Sequence, residues 1–291
     1  MQIGITTFVH GWYQEYIPLF VYGINKAYPD YQAKVFVQGK LDAYIWETLQ
    51  TLPKNYQIIE NYMNDHKEEG AKKPYYCRWL IPYEDLAEFD CVFICDVDLI
   101  MLKENPPLHE QRLKICEKNQ LPFANFIRTP HPDYPDRISG WHFIKTKEYF
   151  EATTCIIKSI TNDPNFDISS PPSYCYNNGI GDKQWGQEAL LFKIISSSFQ
   201  CKHILEKNNL YPYHHGLHLG PFRGTLPDRV LKGELQAINH MGRNLSYWKH
   251  QDLTNICKDR LFLKLIKRNK GDKIKSVLDN FLRHFNNLKL L

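Results

Sequence analysis

Cys91-Val92-Phe93-Ile94-Cys95 is the stretch that most limits what this chain can fold into. Five consecutive apolar residues, rich in β-branched and aromatic side chains, read as a strand covered on both faces, as in the centre of a parallel α/β sheet. The run stops on two carboxylates, Asp96 and Asp98, before Leu99 to Leu102 turn apolar again. Two anions two residues apart, on a strand with no counter-charge, repel each other unless a cation lies between them, and a hard divalent metal is the usual solution. Ligands of open α/β sheets bind just outside the carboxyl ends of the strands, so the position suits a site. A D-x-D alone is also found as a solvated turn or a helix cap, and only its context can decide.

The 291 residues suffice for one large α/β domain with an appendage. Net charge is +4, but residues 258–291 hold ten Lys or Arg against three Asp, a local +7 that leaves −3 on the rest. The chain is therefore divided into a body, 1–257, and a basic amphipathic helical tail, 258–291. In the tail Ile274, Val277, Leu278, Phe281, Leu282, Phe285 and Leu288 recur at helical spacing among Lys273, Lys275, Arg283 and Lys289. Such a helix suits an anionic membrane surface, or packs on the body or on a second subunit; both readings stay open. The amino-terminal MQIGITTFVHGW lacks a charged segment and a long apolar run, and no window nears the roughly 20 apolar residues of a spanning helix. The expectation is a soluble or peripheral protein. Eight cysteines without a close CxxC pair, two of them in the central strand, read as small buried hydrophobes in a reducing compartment, with no zinc site.

Along the chain, a strand at Gln2 to Thr7, a helix at Tyr16 to Ala27 and a strand at Lys34 to Val37 closed by Gly39 make a βαβ opening. Neither a Gly-x-Gly-x-x-Gly nor a Walker sequence follows, which argues against a dinucleotide or ATP cradle. Helices are expected at Asp42 to Leu52, Tyr75 to Ile81 and Leu113 to Glu117, and strands at Gln57 to Ile59, Phe123 to Ile127 and Ser139 to Ile144. Arg128 to Arg137 and Asn162 to Ile180 read as loops, the latter long enough to cover a site. Tyr211 to Gly224, with three His and three Gly, is too irregular for an amphipathic element; histidine ligates metals and glycine lets backbone approach phosphate.

Arg78-Trp79-Leu80-Ile81-Pro82, followed by Cys91 to Leu102, resembles the R-L-L-I-P … Y-D-K-V-L-Y-L-D-x-D-x-L-V signature of GT-A glycosyltransferases, closest to glycosyltransferase family 8. Ser139 to Phe150 resembles the family's N-x-G-V-x-L-I-N-L-K-x-W segment, with Ile138 where the family has Asn. Asp182 to Leu191 is similar to its D-Q-D-x-L-N, with Gln187 and Glu188 on the Gln and second Asp and Gly186 replacing the first Asp. Tyr211 to Gly224 is similar to its H-F-x-G-x-x-K-P-W loop.

The resemblance implies an α/β fold of GT-A, Rossmann-like type: a mixed, mainly parallel sheet with helices on both faces, over 1–257. It implies a hexosyltransferase using a nucleoside-diphosphate sugar, in the first instance a UDP-sugar, on a glycan, glycolipid or glycoprotein acceptor. Asp96, Asp98 and His218 would hold Mn²⁺ or Mg²⁺, with His215 and His240 as alternative third ligands. Gly220, Arg223 and Arg78 would face the diphosphate, Val97 would lie at the donor, and Thr6, Thr7 and the adjacent loop would hold the base. Arg78 could instead pair with Glu84 or Asp85. Family resemblance favours retention, with Gln187 beside the reacting carbon, whereas inversion needs a base from Glu188, Asp182 or Asp136. Glu188 is otherwise a carboxylate at the start of its own helix. Nucleic acid is not an expected partner. A nucleotidyltransferase, or a non-catalytic carbohydrate- or nucleotide-binding protein, is the competing reading. Abundant Lys, Asn and Ile suggest an AT-rich bacterial or viral genome, and the expected location is the cytoplasm, peripheral on the inner face of a membrane.

Overall fold

The computed structural model describes residues 1–63, 77–125, 138, 140–162, 186–200, 216–222 and 251–288. Its opening is β1 (Ile3–Val9), α1 (Ile17–Ala27), β2 (Gln32–Val37), α2 (Ala43–Leu49) and β3 (Tyr56–Ile59). Then come β4 (Cys91–Ile94), β5 (Leu99–Met101), α3 (Leu108–Asn119), β6 (Phe123–Ala124), β7 (His142–Lys145) and α4 (Thr146–Thr161). α5 (Gly186–Ser198), β8 (Gly216–His218), α6 (Gln251–Lys258), α7 (Arg260–Arg268) and α8 (Asp272–Leu288) complete the described elements.

Six strands form one sheet in the order β3-β2-β1-β4-β7-β6. β1, β2, β3 and β4 pair in parallel, and β7 runs antiparallel to both β4 and β6. The mixed, mainly parallel α/β sheet expected from the sequence is the one observed. β4 is central, and its side chains alternate: Cys91 and Phe93 enter one core, Val92 and Ile94 the other. The first core holds α1, α7 and the start of α8; the second holds α4, α5 and the segment 77–81. Both faces are therefore covered, which is why the strand can be apolar throughout.

Several local expectations change. No helix forms at 77–81: Cys77–Trp79 is a single 3₁₀ turn, and all five residues are buried. A helix on the surface buries one stripe, so five consecutive buried residues require an irregular path. α3 is longer than Leu113 to Glu117 because most of it is solvated and carries little apolar signal; it closes on Gln120 in the left-handed region, φ 54°. The His- and Gly-rich stretch is not wholly irregular, since Gly216–His218 is a strand paired antiparallel with β5. The expected loops at 128–137 and 163–180 lie outside the described residues.

The tail settles which surface its apolar stripe meets. Ile274, Val277, Leu278 and Phe281 are buried in the same core as β1 and α1, and Phe281 packs edge-on against Phe222 and Phe262. These side chains are thus covered by the body rather than available to lipid. Among the described residues no helix is long and apolar enough to cross a membrane. α1 itself sits close on β5: a β-carbon at Gly23 would lie 2.8 Å from the Met101 amide nitrogen.

The buried thiols and His142 take their uncharged forms. Burial pushes the Cys91 thiol up to about 11 and the Cys116 thiol up to about 12, and holds Cys95 far above the ordinary thiol range. His142, fully buried, is driven down to about 3 by desolvation, with Arg112 adding to it. Asn125 Nδ2 lies 3.0 Å from its Nδ1.

Two outcomes follow. Phe281→Ala costs about 3–5 kcal/mol in urea denaturation, whereas Lys275→Ala stays within about 0.5 kcal/mol; a small loss at Phe281 contradicts the docking. For His142 the folded value lies below the unfolded one near 6.5, so its contribution is full above pH ~6.5 and is lost as pH falls toward about 3. Wild type should lose about 1.4 kcal/mol per pH unit more than His142→Phe across that window; parallel pH profiles contradict the assignment.

Candidate active site

The chain runs outward from β1 to β2 to β3 and then returns to lay β4 on the other side of β1. The strand order reverses there, and the crevice at the carboxyl ends of β1 and β4 is where open α/β sheets bind ligands. Thr6 stands opposite Ile94, and the Cys95 amide donates to the Thr6 carbonyl at 3.0 Å. Asp96 and Asp98 leave β4 at that crevice, with β1 running on beside them to Val9.

His218 reaches Asp98 across 120 residues through the small β5–β8 ladder, in which Leu99 is opposite His218 and the Leu219 amide donates to the Asp98 carbonyl at 2.8 Å. His218 Nε2 lies 3.0 Å from Asp98 Oδ1. Asp98 is 2% exposed, so its charge requires such a partner, while Asp96 at the rim is 38% exposed in its side chain. One ligand atom each from Asp96, Asp98 and His218 fall within 4.8 Å of one another, the one such trio found among the described residues. The two carboxylates and the imidazole are thus grouped closely enough to be candidate ligands of one metal ion. Gly220 matters to the same ring: a β-carbon there would lie 2.9 Å from the His218 imidazole.

Arg78 and Asp96 form an ion pair through Nη1 and Oδ1. The guanidinium lies 4.5 Å from the Trp79 ring centre and is 4% exposed, and neither its Nε nor its Nη2 has a hydrogen-bond partner among the described residues. Arg78 therefore faces the D-x-D rather than Glu84 or Asp85. Gly140 completes this corner. A β-carbon on it would stand 3.1 Å from Arg78 Nη2, 3.5 Å from Asp96 Oδ2 and 3.9 Å from Glu188 Oε1, so four distant segments close around a space that a side chain would fill. Glu188, 4% exposed, is in the first turn of α5 and points into that corner.

Other expected site residues are placed differently. Thr6 and Thr7 are fully buried; Thr6 Oγ1 donates to the Lys34 carbonyl at 2.8 Å, a bond inside the sheet, and Thr7 Oγ1 has no hydrogen-bond partner among the described residues. The Thr6 hydroxyl proton is thus committed to β2. The Val97 side chain is buried in the core, so only its backbone can serve a ligand. Asp182, Asp136, Arg223, His215, His240 and the side chain of Gln187 lie outside the described residues. Ile138 is fully buried, so the family's polar contact has no counterpart there.

The loop after β1, which the resemblance assigns with Thr6 and Thr7 to the base, carries a group of rings. His10, Trp12, Tyr13 and Tyr16 form a ring cluster, with centres 4.4 Å apart for Trp12 and Tyr13 and 5.6 Å for His10 and Tyr13. Three aromatics and a histidine directly after the first strand were the available signal. Gly140 offered none, since its neighbours come from remote parts of the chain.

No protein-family model matches the chain, and no curated protein does. Solved structures similar to it include the galactosyltransferase LgtC in complex with donor and acceptor sugar analogues, at 14% identity over 66% of this chain and 70% of that one, TM-score 0.44. The glycosyltransferase GlyE of Streptococcus pneumoniae TIGR4 aligns at 10% identity over 98% of this chain and 64% of that one, TM-score 0.42.

Proposed function

We propose that the chain is a metal-dependent glycosyltransferase that moves a hexose from a nucleoside-diphosphate sugar to a glycan or lipid-linked acceptor. The observation that carries this reading is the meeting of Asp96, Asp98 and His218 at the sheet's reversal point, beside a buried arginine with unused donors. With Glu188 the corner holds three carboxylates and one guanidinium, a formal −3 + 1 = −2. A divalent cation balances that charge and makes the crevice acceptable to a diphosphate. When bound, the ion supplies Lewis acidity to the leaving diphosphate. The mixed oxygen and nitrogen set suits Mn²⁺, with Mg²⁺ the alternative.

The protein's own groups then have distinct tasks. Asp98 fixes the His218 ring, and Asp96 with the Trp79 face fixes Arg78. Arg78 offers Nε and Nη2 to a phosphate oxygen, a planar arrangement suited to that anion. Preorganised positive charge at the leaving group is the largest source of rate in such a reaction. The rings of the loop after β1 take the base by stacking, and Gly140 keeps space for the sugar, with Glu188 as its nearest carboxylate. We take retention from the family resemblance, with Gln187 near the reacting carbon. The nucleotidyltransferase alternative needs a glycine-rich basic loop after β1, and His10 to Tyr16 is aromatic with one glycine.

α7 suggests where the acceptor is met. Each of its exposed positions, Arg260, Lys264, Lys267 and Arg268, is cationic, while Asp259 is paired with Lys26 at 2.9 Å. We propose that this face rests on anionic lipid headgroups by charge alone, without insertion, at the inner surface of a membrane. Binding to phosphatidylserine vesicles should fall by about 1 kcal/mol for each of Lys264, Lys267 and Arg268 changed to Ala; unchanged binding rejects the lipid partner.

Thermal denaturation with UDP, GDP and CMP, each with and without Mn²⁺, tests the main reading. One nucleoside diphosphate should stabilise the wild type by about 2.7 kcal/mol at a hundredfold excess over Kd, only with metal. Asp98→Ala and His218→Ala should abolish the effect. Absence of stabilisation by any nucleotide rejects the glycosyltransferase.

A further inference from the structure

The loop that carries the rings is held from outside the sheet. On one side Gln14 Oε1 accepts from the Asp42 amide at 3.0 Å, at the start of α2. On the other side residues around the start of α8 grip it three times. Asn269 Nδ2 donates to the Glu15 carbonyl at 3.1 Å, Lys273 Nζ lies 5.6 Å from the Trp12 ring centre, and the Glu15 carboxylate rests against Gly271. That last contact is tight: a β-carbon on Gly271 would fall inside both carboxylate oxygens of Glu15. The carboxyl group also sits at the amino end of a 17-residue helix, where the Gly271 backbone N–H favours its anion, although burial outweighs this and raises its pKa above the ordinary carboxylate range.

We infer that the Glu15–Gly271 contact is a latch by which the carboxy-terminal helices position the base-stacking loop, so that residues far along the chain set how tightly the donor's nucleobase is held. The inference rests on the proposed nucleotide-sugar site. Glu15, Asn269 and Gly271 act as positioning residues, with Trp12 and Tyr13 as the surface that meets the base. The metal trio does not depend on them, because His218 and the two aspartates are fixed by β4, β5 and β8. Damage to the latch therefore weakens recognition of the nucleoside and spares recognition of the diphosphate.

The test compares Kd values for UDP, GDP and inorganic pyrophosphate, all with Mn²⁺, on full-length wild type, Gly271→Ala, Asn269→Ala, Glu15→Ala and the Glu15→Ala/Gly271→Ala pair. Circular dichroism melts establish that each variant is folded. The expected result is a fall of about tenfold in the preference for the bound nucleoside diphosphate over pyrophosphate, the size of losing one stacking contact, with pyrophosphate affinity unchanged. The double variant should match Glu15→Ala rather than sum the two losses, because both changes break one contact. Acrylamide quenching of Trp12, taken by difference from Trp12→Phe, should rise in Gly271→Ala. Folded Gly271→Ala and Asn269→Ala that keep the full nucleoside preference overturn the latch while leaving the nucleotide site intact. A wild type that binds pyrophosphate but gains nothing from either nucleoside overturns the latch too. One that binds none of the three rejects the site itself.

Discussion

Phe93 is hemmed in by the rings of Tyr31, Trp141 and Phe143, the last with its centre 4.7 Å away, while Val92 and Ile94 are covered on the opposite face by the second core. A strand packed in this way cannot present a polar side chain along its length without leaving it buried and unsatisfied. Its ends are the outlets, and Asp96 and Asp98 are at the carboxyl one. The reversal of strand order at β1 and β4 opens the crevice at the same point, so the location of the site follows from packing and topology together.

Around that outlet the charges are balanced locally. Asp98 is tied to His218 and Asp96 to Arg78, each carboxylate meeting a partner of different strength. Arg78 is the harder group to account for without a ligand, because a guanidinium 4% exposed with two of its nitrogens unbonded among the described residues has been desolvated without full repayment. An anion of phosphate geometry would repay it. The glycines at 140 and 220 serve the same corner by omission, one keeping space open and the other letting the His218 ring lie close to the backbone.

What could be read from the sequence was local. The apolar run, its alternating sides, the paired aspartates and the βαβ opening are all encoded within a few residues of one another, and they are observed. The segment at 77–81 was misread because its burial comes from tertiary packing, which overrides a helical pattern. His218 was identified by resemblance, but its bond to Asp98 depends on a three-residue ladder joining segments 120 residues apart, which no local pattern announces. Thr6 looked like a base contact because it ends an apolar alternation; its hydroxyl turned out to serve the neighbouring strand. The tail shows the same limit: helical spacing tells that one stripe is apolar and leaves open what covers it.

The cysteines at the two ends of the central strand and in α3 have a chemical consequence of their own. Cys91 and Cys95 flank the central strand, and Cys116 is buried nearby, all three held protonated by burial. Oxidation and alkylation both proceed through the thiolate, which these residues scarcely populate near neutral pH. The strand can therefore carry a sulfur atom at each end in the unreactive thiol form. The low thiolate content of these residues thus follows from the packing of the core.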